Sequence, residues 1–540
     1  MAGLATAFGS GAMTNSIGEI EHAEVLLVIG SNTTENHPVI GAAIRRAVLH
    51  HGAKLIVADP REIGLTQDAA LWLRQRPGTD LALINGLIQV ILENGWQNQE
   101  YIDQHTENFE ALAQTVKSYP PQRVAEITGV PAEKIVEAAR LYAQAGRAGI
   151  YYAMGITQHH NGTDNVKALA NLALVCGHLG KPSSGVNPLR GQNNVQGACD
   201  LGALPGDLTG YQKVADLLSR QRFAQAWGVD SLPDTPGLTV TEMMDAALAG
   251  SLKAMLIMGE NPALSDPDSN HVRQALRRMD LLVVMDIFLT ETAQLADVVL
   301  PTACWAEKDG TFTNTERRVQ RVRKAVPPPG QAKPDWWVLT ELGKRLGQDW
   351  NYRTPQQIFE ELRRLTPSYA GITYRRLERL GGLQWPCPDT RHPGTPILHV
   401  GGCARGKGLF SPVEHQEPAE PIDSDYPMVL TTGRLLYHYH TGSMTRRVEG
   451  LNQLAAQCLV EINPADAREL GVSDGARVQV SSRRGEVTAQ AWVTDRVPAG
   501  VVFMPFHFAE SAANLLTNKA LDPDCKIPEL KVCAVRLKAA

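Results

Sequence analysis

The residues best suited to chemistry in this 540-residue chain lie between Asn187 and Pro205, in the run NPLRGQNNVQGACDLGALP. Gly191, Gly197 and Gly202 break any hydrophobic period there, and Gln192, Asn193, Asn194 and Gln196 crowd a short stretch with amide donors and acceptors. Arg190, at its head, is a fixed cation. A guanidinium is planar, always charged, and able to hold a carboxylate through two parallel hydrogen bonds. Taken alone, the same run also reads as a polar surface loop with a solvated arginine. The deciding question is whether the rest of the chain builds a ligand cleft beside it.

The elements before it have the pattern of such a cleft. Val25–Gly30 (VLLVIG) is a short β-branched run, typical of a strand buried on both faces, and it ends at Gly30-Ser31-Asn32. Val39, Ile40, Ala43, Ile44, Ala47 and Val48 then recur at helical spacing over His37–His51, and Gly52 stops that helix. Lys54–Ala58 is a second apolar strand, ending at Asp59-Pro60-Arg61. Strand, helix, strand is the unit of a parallel sheet, whose ligands sit at the carboxyl ends of the strands. Pro77–Asp80 is a turn into an apolar helix over Leu81–Asn94, whose first amides are available to an anion. Helices are expected over 101–147, a strand over Ile150–Met154, and a further helix over Asp164–Leu179.

The same plan recurs downstream. Ala254–Met258 reads as a strand ending in Gly259-Glu260-Asn261, followed by a helix around Ser269–Met279 and a strand Leu281–Met285 ending at Asp286. Two generic βαβ units would look alike to this extent. The matched spacing from glycine to aspartate raises a sharper expectation: two nucleotide-type moieties, one per unit. The strand-end carboxylate would take a base or ribose donor, and the glycine would let backbone amides approach phosphate. Residues 305–425 are less regular, and the basic run Arg317–Arg323 with Lys324 reads as a solvated face. From Tyr426 onward, short strands with turn signals between them suggest a compact β-barrel.

Composition bounds the function. A net charge of −5 gives no basic balance for nucleic acid or an anionic membrane. No apolar run approaches the ~18 residues of a membrane span. The eight cysteines are scattered without a CxxC pair, so no disulfide, zinc or iron–sulfur framework is expected within these residues, and a reducing, cytoplasmic setting follows. No secretory signal pattern is present. No GxSxG elbow, P-loop or HExxH occurs. His159-His160 and His438/His440 lack a carboxylate or cysteine at metal-binding spacing, so they read as hydrogen-bonding histidines and no metal ligand is assigned. Without a nucleophile or general base in view, a redox enzyme whose large cofactor carries the chemistry fits best.

Beyond these patterns, GSGAMTNSIGEI, VIGSN, VADPR, RPGTD, GHLGKPSSGVNPLRGQNNVQGACDLGALP, MGENP, DIFLTETAQLADVVLPT and TTGRLLYHYHTGSMTRR resemble the molybdopterin oxidoreductase family. Within it they are similar to the catalytic subunits of molybdenum- or tungsten-dependent formate dehydrogenases, from Ala2 to about Leu537. The resemblance implies an α/β fold: two Rossmann-like βαβ domains around a shared cofactor crevice, plus a C-terminal six-stranded double-psi β-barrel. The divisions expected are residues 1–192, 193–304, an irregular connector 305–420, and the barrel 421–540. It implies a bis-(molybdopterin guanine dinucleotide) cofactor carrying molybdenum or tungsten. One half of that cofactor would contact Gly30, Asn32, Asp59, Arg61, Gly78, Asp80 and Gln158. The other would contact Gly259, Glu260, Asp286, Asp335, Arg434, His438, Asn514 and Lys531, with Gln192 near the pterin. Arg190 matches the arginine that orients formate.

The resemblance also implies parts this sequence does not contain: an N-terminal [4Fe–4S] domain, and a cysteine or selenocysteine that ligates the metal and is followed by a histidine. The expectation is therefore a downstream piece of a selenocysteine enzyme, or, as the plainer rival, of a cysteine enzyme with a displaced start or a broken sequence, inactive alone and needing the missing N-terminal segment or chain. Electrons would pass to NAD/flavin, ferredoxin or hydrogenase-type subunits. The alternatives are another member of the family, such as a nitrate reductase, and a non-catalytic cofactor scaffold that works only with a separate N-terminal chain.

Overall fold

In the computed structural model, which describes residues 1–540, two compact units emerge. The first comprises Met1–Gly191, Pro267–Ser269 and Ile397–Ala540; the second comprises Gln192–Asp266 and Asn270–Pro396.

In the first unit a five-stranded parallel sheet runs in the order Leu71–Leu73, Lys54–Ala58, Val25–Ile29, Ala148–Tyr152, Gly185–Pro188. Every residue of Val25–Ile29 is buried, as a central strand covered on both faces requires. The helix Pro38–His51 starts with proline at its first turn and stops at Gly52 in the left-handed region (φ 75°), a position glycine occupies without strain. The helices Asp80–Glu93 and Gly162–Val175 are buried over most of their length and share one core. Against the second of these packs the helix Ala2–Phe8. A Cβ on Gly3 would stand 2.8 Å from the carbonyl of Thr163, so the close approach depends on that glycine.

The same unit contains a closed six-stranded barrel, in the order Met428–Gly433, Val501–Pro505, Leu459–Ile462, Glu486–Val493, Arg477–Ser481, Cys533–Ala539. Two of its pairings are parallel, Met428–Gly433 with Val501–Pro505 and Leu459–Ile462 with Glu486–Val493. Burial alternates residue by residue along Glu486–Val493, so Val487, Ala489 and Ala491 fill the interior. The strand Cys533–Ala539, which closes the barrel, joins both Met428–Gly433 and Arg477–Ser481.

In the second unit the strands Ala254–Met258, Leu281–Asp286 and Val298–Pro301 form a parallel sheet, with Met244, Val272, Ala275 and Leu276 of two helices packed on one face. The stretch expected to be irregular is more ordered than its sequence suggests. Gly310–Thr313, Arg318–Val322 and Leu383–Gln384 form an antiparallel sheet, flanked by helices Asp335–Arg345, Pro355–Leu365 and Tyr374–Leu380. Only the end of the basic run, Arg323 and Lys324, is exposed. Arg317 is fully buried and donates to the carbonyls of Trp385, Thr395 and Pro396, and Arg321 and Arg323 both pair with Glu378. Backbone carbonyls spread over three residues satisfy the buried guanidinium, which a local reading cannot anticipate. Nearby, Asp200 is buried and accepts from Gln196, Tyr211, Tyr369 and Trp385 at 2.8, 2.7, 2.5 and 2.7 Å, so the RGQNNVQGACD run ends in a fixed node.

No helix is long and apolar enough to cross a membrane.

Candidate functional site

A cleft of about 940 Å³ opens in the first unit at the carboxyl ends of its parallel strands, the position where open α/β sheets bind ligands. Gly30, Asn32, Asp59, Arg61, Gly78, Asp80 and Gln158 all line it. So do Arg434 and Lys531, which the resemblance assigns to the other half of the cofactor. The barrel brings them in: Arg434 follows the strand Met428–Gly433, and Lys531 precedes Cys533–Ala539.

The floor is made of backbone. Gly30 has φ 56°, and a Cβ there would lie 2.7 Å from the carbonyl carbon of Gly155. Gly155 in turn donates to the carbonyl of Gly30 at 3.0 Å. Gly191 lies against the guanidinium of Arg434, which a Cβ at 191 would meet at 2.5 Å.

The electrostatics favour an anion. Arg61, Arg434 and Lys531 converge on the cleft, against the carboxylates of Asp59 and Asp80. Burial, and after it the charge of Arg434, lower the pKa of Lys531 to about 7 against the opposing pull of Asp59. Its ammonium donates to the Thr432 carbonyl at 2.6 Å. Burial raises Asp59 to about 6, with the attraction of Arg61 and Lys531 pulling the other way. Asp80 is also raised by burial and accepts from Gln75 at 2.9 Å. Arg61 is fixed by Glu461, which receives its Nε at 2.7 Å, and by the face of Phe503, whose centroid lies 3.7 Å away. Several buried polar atoms at the cleft have no partner in the protein: Asn32 Nδ2, Asn36 Oδ1, His37 Nδ1 and Gln75 Oε1. Buried polar groups are normally paired, so this set is complementary to a polar, multiply charged ligand.

Arg190 lies beside the cleft, between the lining residues Leu189 and Gly191. Its carbonyl accepts from His37 Nε2 at 2.7 Å, and its Nη2 donates to the Gly11 carbonyl at 3.2 Å. His37, Gln75, Phe503 and Phe506 line the cleft without having been singled out in the sequence. A polar side chain just ahead of a helix that follows a strand was the available signal for His37. His438 and Asn514 do not line this cleft. His438 engages Ala455 O at 2.7 Å and Thr445 Oγ1 at 3.3 Å, and Asn514 accepts from Thr517. His159 and His160 are structural partners of the buried Glu529, with His160 Nδ1 3.0 Å from its carboxylate.

The second unit repeats the lip. Gly259 has φ 65° and donates to Met285 O at 2.8 Å, as Gly30 donates to Ala58 O at 3.0 Å. Asn261 caps a short helix there, as Asn32 does in the first unit. Asp286 ends the next strand and accepts from the amide of Ile287. Asp335 reaches the same edge, because Lys333 pairs with Thr302 just beyond the third strand, and it forms an ion pair with Lys308. Glu260 is exposed as a residue; loss of solvent around its carboxyl, with the charges of Asp266 and Asp286, raises its pKa to about 7. Gln192 stands half-buried at the start of this unit, its carbonyl accepting from Val195.

The model of the molybdopterin oxidoreductase family matches residues 3–345, and that of the molydopterin dinucleotide binding domain matches residues 428–534. The chain belongs to the molybdopterin oxidoreductase family. The chain is 53% identical to the F420-dependent formate dehydrogenase subunit alpha of Methanocaldococcus jannaschii, over 99% of its length and 79% of that protein. It is 38% identical to the assimilatory nitrate reductase catalytic subunit of Bacillus subtilis, over 97% of its length and 76% of that protein. Among solved structures, acetylene hydratase from Pelobacter acetylenicus shares the fold at a TM-score of 0.79 and 21% identity, covering 100% of this chain and 80% of that one. As a molybdopterin oxidoreductase, the chain needs a pterin cofactor, and the cleft fits one: three converging cations for phosphate, unpaired amide and imidazole atoms for a heterocycle, and a glycine floor that admits close approach.

Proposed function

We propose that this chain is the catalytic part of a formate dehydrogenase, which oxidises formate reversibly to CO2 at a bis-(molybdopterin guanine dinucleotide) centre carrying molybdenum or tungsten. The observation that carries the reading is Arg190, held beside the cofactor cleft by His37 and Gly11 in a chain 53% identical to a formate dehydrogenase subunit. Arg61, Arg434 and Lys531 would hold the diphosphate of one dinucleotide, with Asp59, Asp80, Asn32 and Gln158 facing its base and ribose. Gly259, Glu260, Asp286 and Asp335 would serve the second dinucleotide, and Gln192 the pterin.

The cofactor, when bound, supplies the two-electron acceptor. Arg190 receives the formate carboxylate through two parallel N–H···O bonds and so fixes the direction of its C–H bond. Formate leaves as CO2, giving up two electrons and a proton. A [4Fe–4S] cluster and electron-transfer subunits would carry the electrons onward.

In the cofactor-loaded enzyme, Arg190→Lys is expected to weaken formate use about ten- to a hundredfold in kcat/KM, because an ammonium cannot make the paired bonds. An unchanged KM and kcat would remove Arg190 from this role. Nitrate is also a planar anion that a guanidinium can hold, and a nitrate reductase is among the relatives. Assaying formate oxidation and nitrate reduction side by side decides between the two substrates.

A further inference from the structure

His37 lines the cofactor cleft and at the same time touches the backbone of Arg190. The carbonyl of Arg190 can only accept, so Nε2 of His37, 2.7 Å away, is the protonated nitrogen. In a neutral ring, Nδ1 then carries a lone pair. It is buried on this cleft-lining residue and finds no acceptor or donor in the protein. The ring is held in place by its backbone: the His37 amide donates to Thr33 O at 2.9 Å, and its carbonyl accepts from Gly41 at 2.8 Å at the start of the helix Pro38–His51.

We propose that His37 is a positioning residue that links the occupied cleft to the substrate arginine: Nε2–H fixes the Arg190 carbonyl, and Nδ1 accepts an N–H or O–H of the bound cofactor. The tautomer required by one bond creates the acceptor used by the other. Burial, and after it the charge of Arg434, lowers the pKa of the imidazole, which keeps the second proton off the ring. With the cleft empty, His37 is bonded through Nε2 alone, and loading the cofactor ties the ring at Nδ1 as well. The inference rests on the reading of Arg190 as the formate-binding residue.

The experiment uses the complete, cofactor-loaded enzyme and three variants, His37→Phe, His37→Gln and Arg190→Lys. Two readouts are taken: KM against kcat for formate, and metal and pterin content per chain after purification. His37→Phe removes both nitrogens and is expected to raise the KM for formate about three- to tenfold, the size of one lost hydrogen bond, and to lower cofactor content. His37→Gln restores an N–H donor and an oxygen acceptor and is expected to bring both readouts back toward those of the parent. A parental KM and cofactor content in His37→Phe, with KM raised in Arg190→Lys, would overturn the role of His37. An unchanged KM in Arg190→Lys would instead overturn the formate reading beneath it. If His37→Phe does not fold, His37→Leu replaces it: it likewise lacks both nitrogens and should behave as the Phe variant does.

Discussion

Arg61 and Glu461 meet as a two-pronged ion pair in the first unit: Nε donates to one carboxylate oxygen at 2.7 Å and Nη2 to the other at 2.5 Å. Arg61 stands at the end of a parallel strand and Glu461 on a barrel strand, and both are almost wholly buried. The pair therefore ties the barrel to the sheet at the lip of the cleft. Arg496 adds a second cation 3.3 Å from Glu461.

Glu461→Gln should destabilise the fold by about 3–5 kcal/mol, because two guanidinium groups lose their buried counter-charge. Chemical denaturation measures this. The double change Glu461→Gln with Arg61→Met should recover part of the loss. No recovery would mean that the cost lies in packing and not in a stranded charge.

Gly155→Ala would place a Cβ 2.6 Å from the Cα and carbonyl oxygen of Gly30, with backbone on both sides and nothing flexible to give way. The expected cost is about 1–3 kcal/mol, with a matching fall in cofactor content. Gly52→Ala is the control. It has φ 75° and open space around it, so it carries only the left-handed penalty of about 1 kcal/mol and should leave cofactor content unchanged.

Anion binding in the cleft should draw protons from solution. Lys531, with its pKa lowered to about 7, is largely neutral at pH 8 in the empty cleft, and a bound diphosphate favours its charged form. Asp59, raised to about 6, shifts in the same direction. Titrating GDP into the cofactor-free chain at pH 8, in buffers of different ionisation enthalpy, should reveal proton uptake. The uptake should shrink below about pH 6, where the lysine is already charged, and fall in Lys531→Met. Heats independent of the buffer would place Lys531 away from the phosphates.

The contact of Glu529 with His160 should stabilise the fold within a bounded pH window. Burial alone would raise the Glu529 carboxyl, but the bond from His160 and the ring of His159, 3.9 Å away, outweigh it and bring the pKa down to about 2 from 4.5. A lowered carboxylate contributes stability that is present above its unfolded value and lost as pH falls from 4.5 toward 2. His160 is raised from 6.5, chiefly by its bond to Glu529, so its contribution is complete below 6.5 and is lost as pH rises through the higher folded value. The stability difference between the parent and Glu529→Gln should therefore be largest near pH 5–6 and smaller at pH 3 and pH 9, as followed by urea unfolding. A difference that does not vary with pH would mean the pair is not ionic.

Much of the α/β architecture was legible because a strand buried on both faces leaves an unbroken apolar run and a helix leaves its own period. Val25–Ile29, Lys54–Ala58 and Ala254–Met258 are where those patterns place them. The strand read at Ile150–Met154 lies two residues earlier, at Ala148–Tyr152, because small residues at Ala148 and Gly149 hide its start and Met154 opens a short helix. The antiparallel sheet around Arg318–Val322 was not legible. Its third strand, Leu383–Gln384, is two residues long and distant in sequence, so only tertiary pairing defines it. The same holds for the cleft. Gly30, Asp59, Gly78 and Asp80 carry local signals at strand ends and turns, whereas Arg434, Lys531 and His37 join them only once barrel, sheet and the 190 segment are packed together.

Gly30 and Gly259 each donate to a carbonyl near the end of the neighbouring strand in their own sheet, so each lip is assembled from its own copy of the plan. Drift in one copy therefore leaves the other's scaffold standing. Around these shared turns the surroundings already differ, with Gly155 walling in Gly30 and open space beside Gly259. A duplicated frame of this kind lets two sites inherit one geometry and then specialise separately.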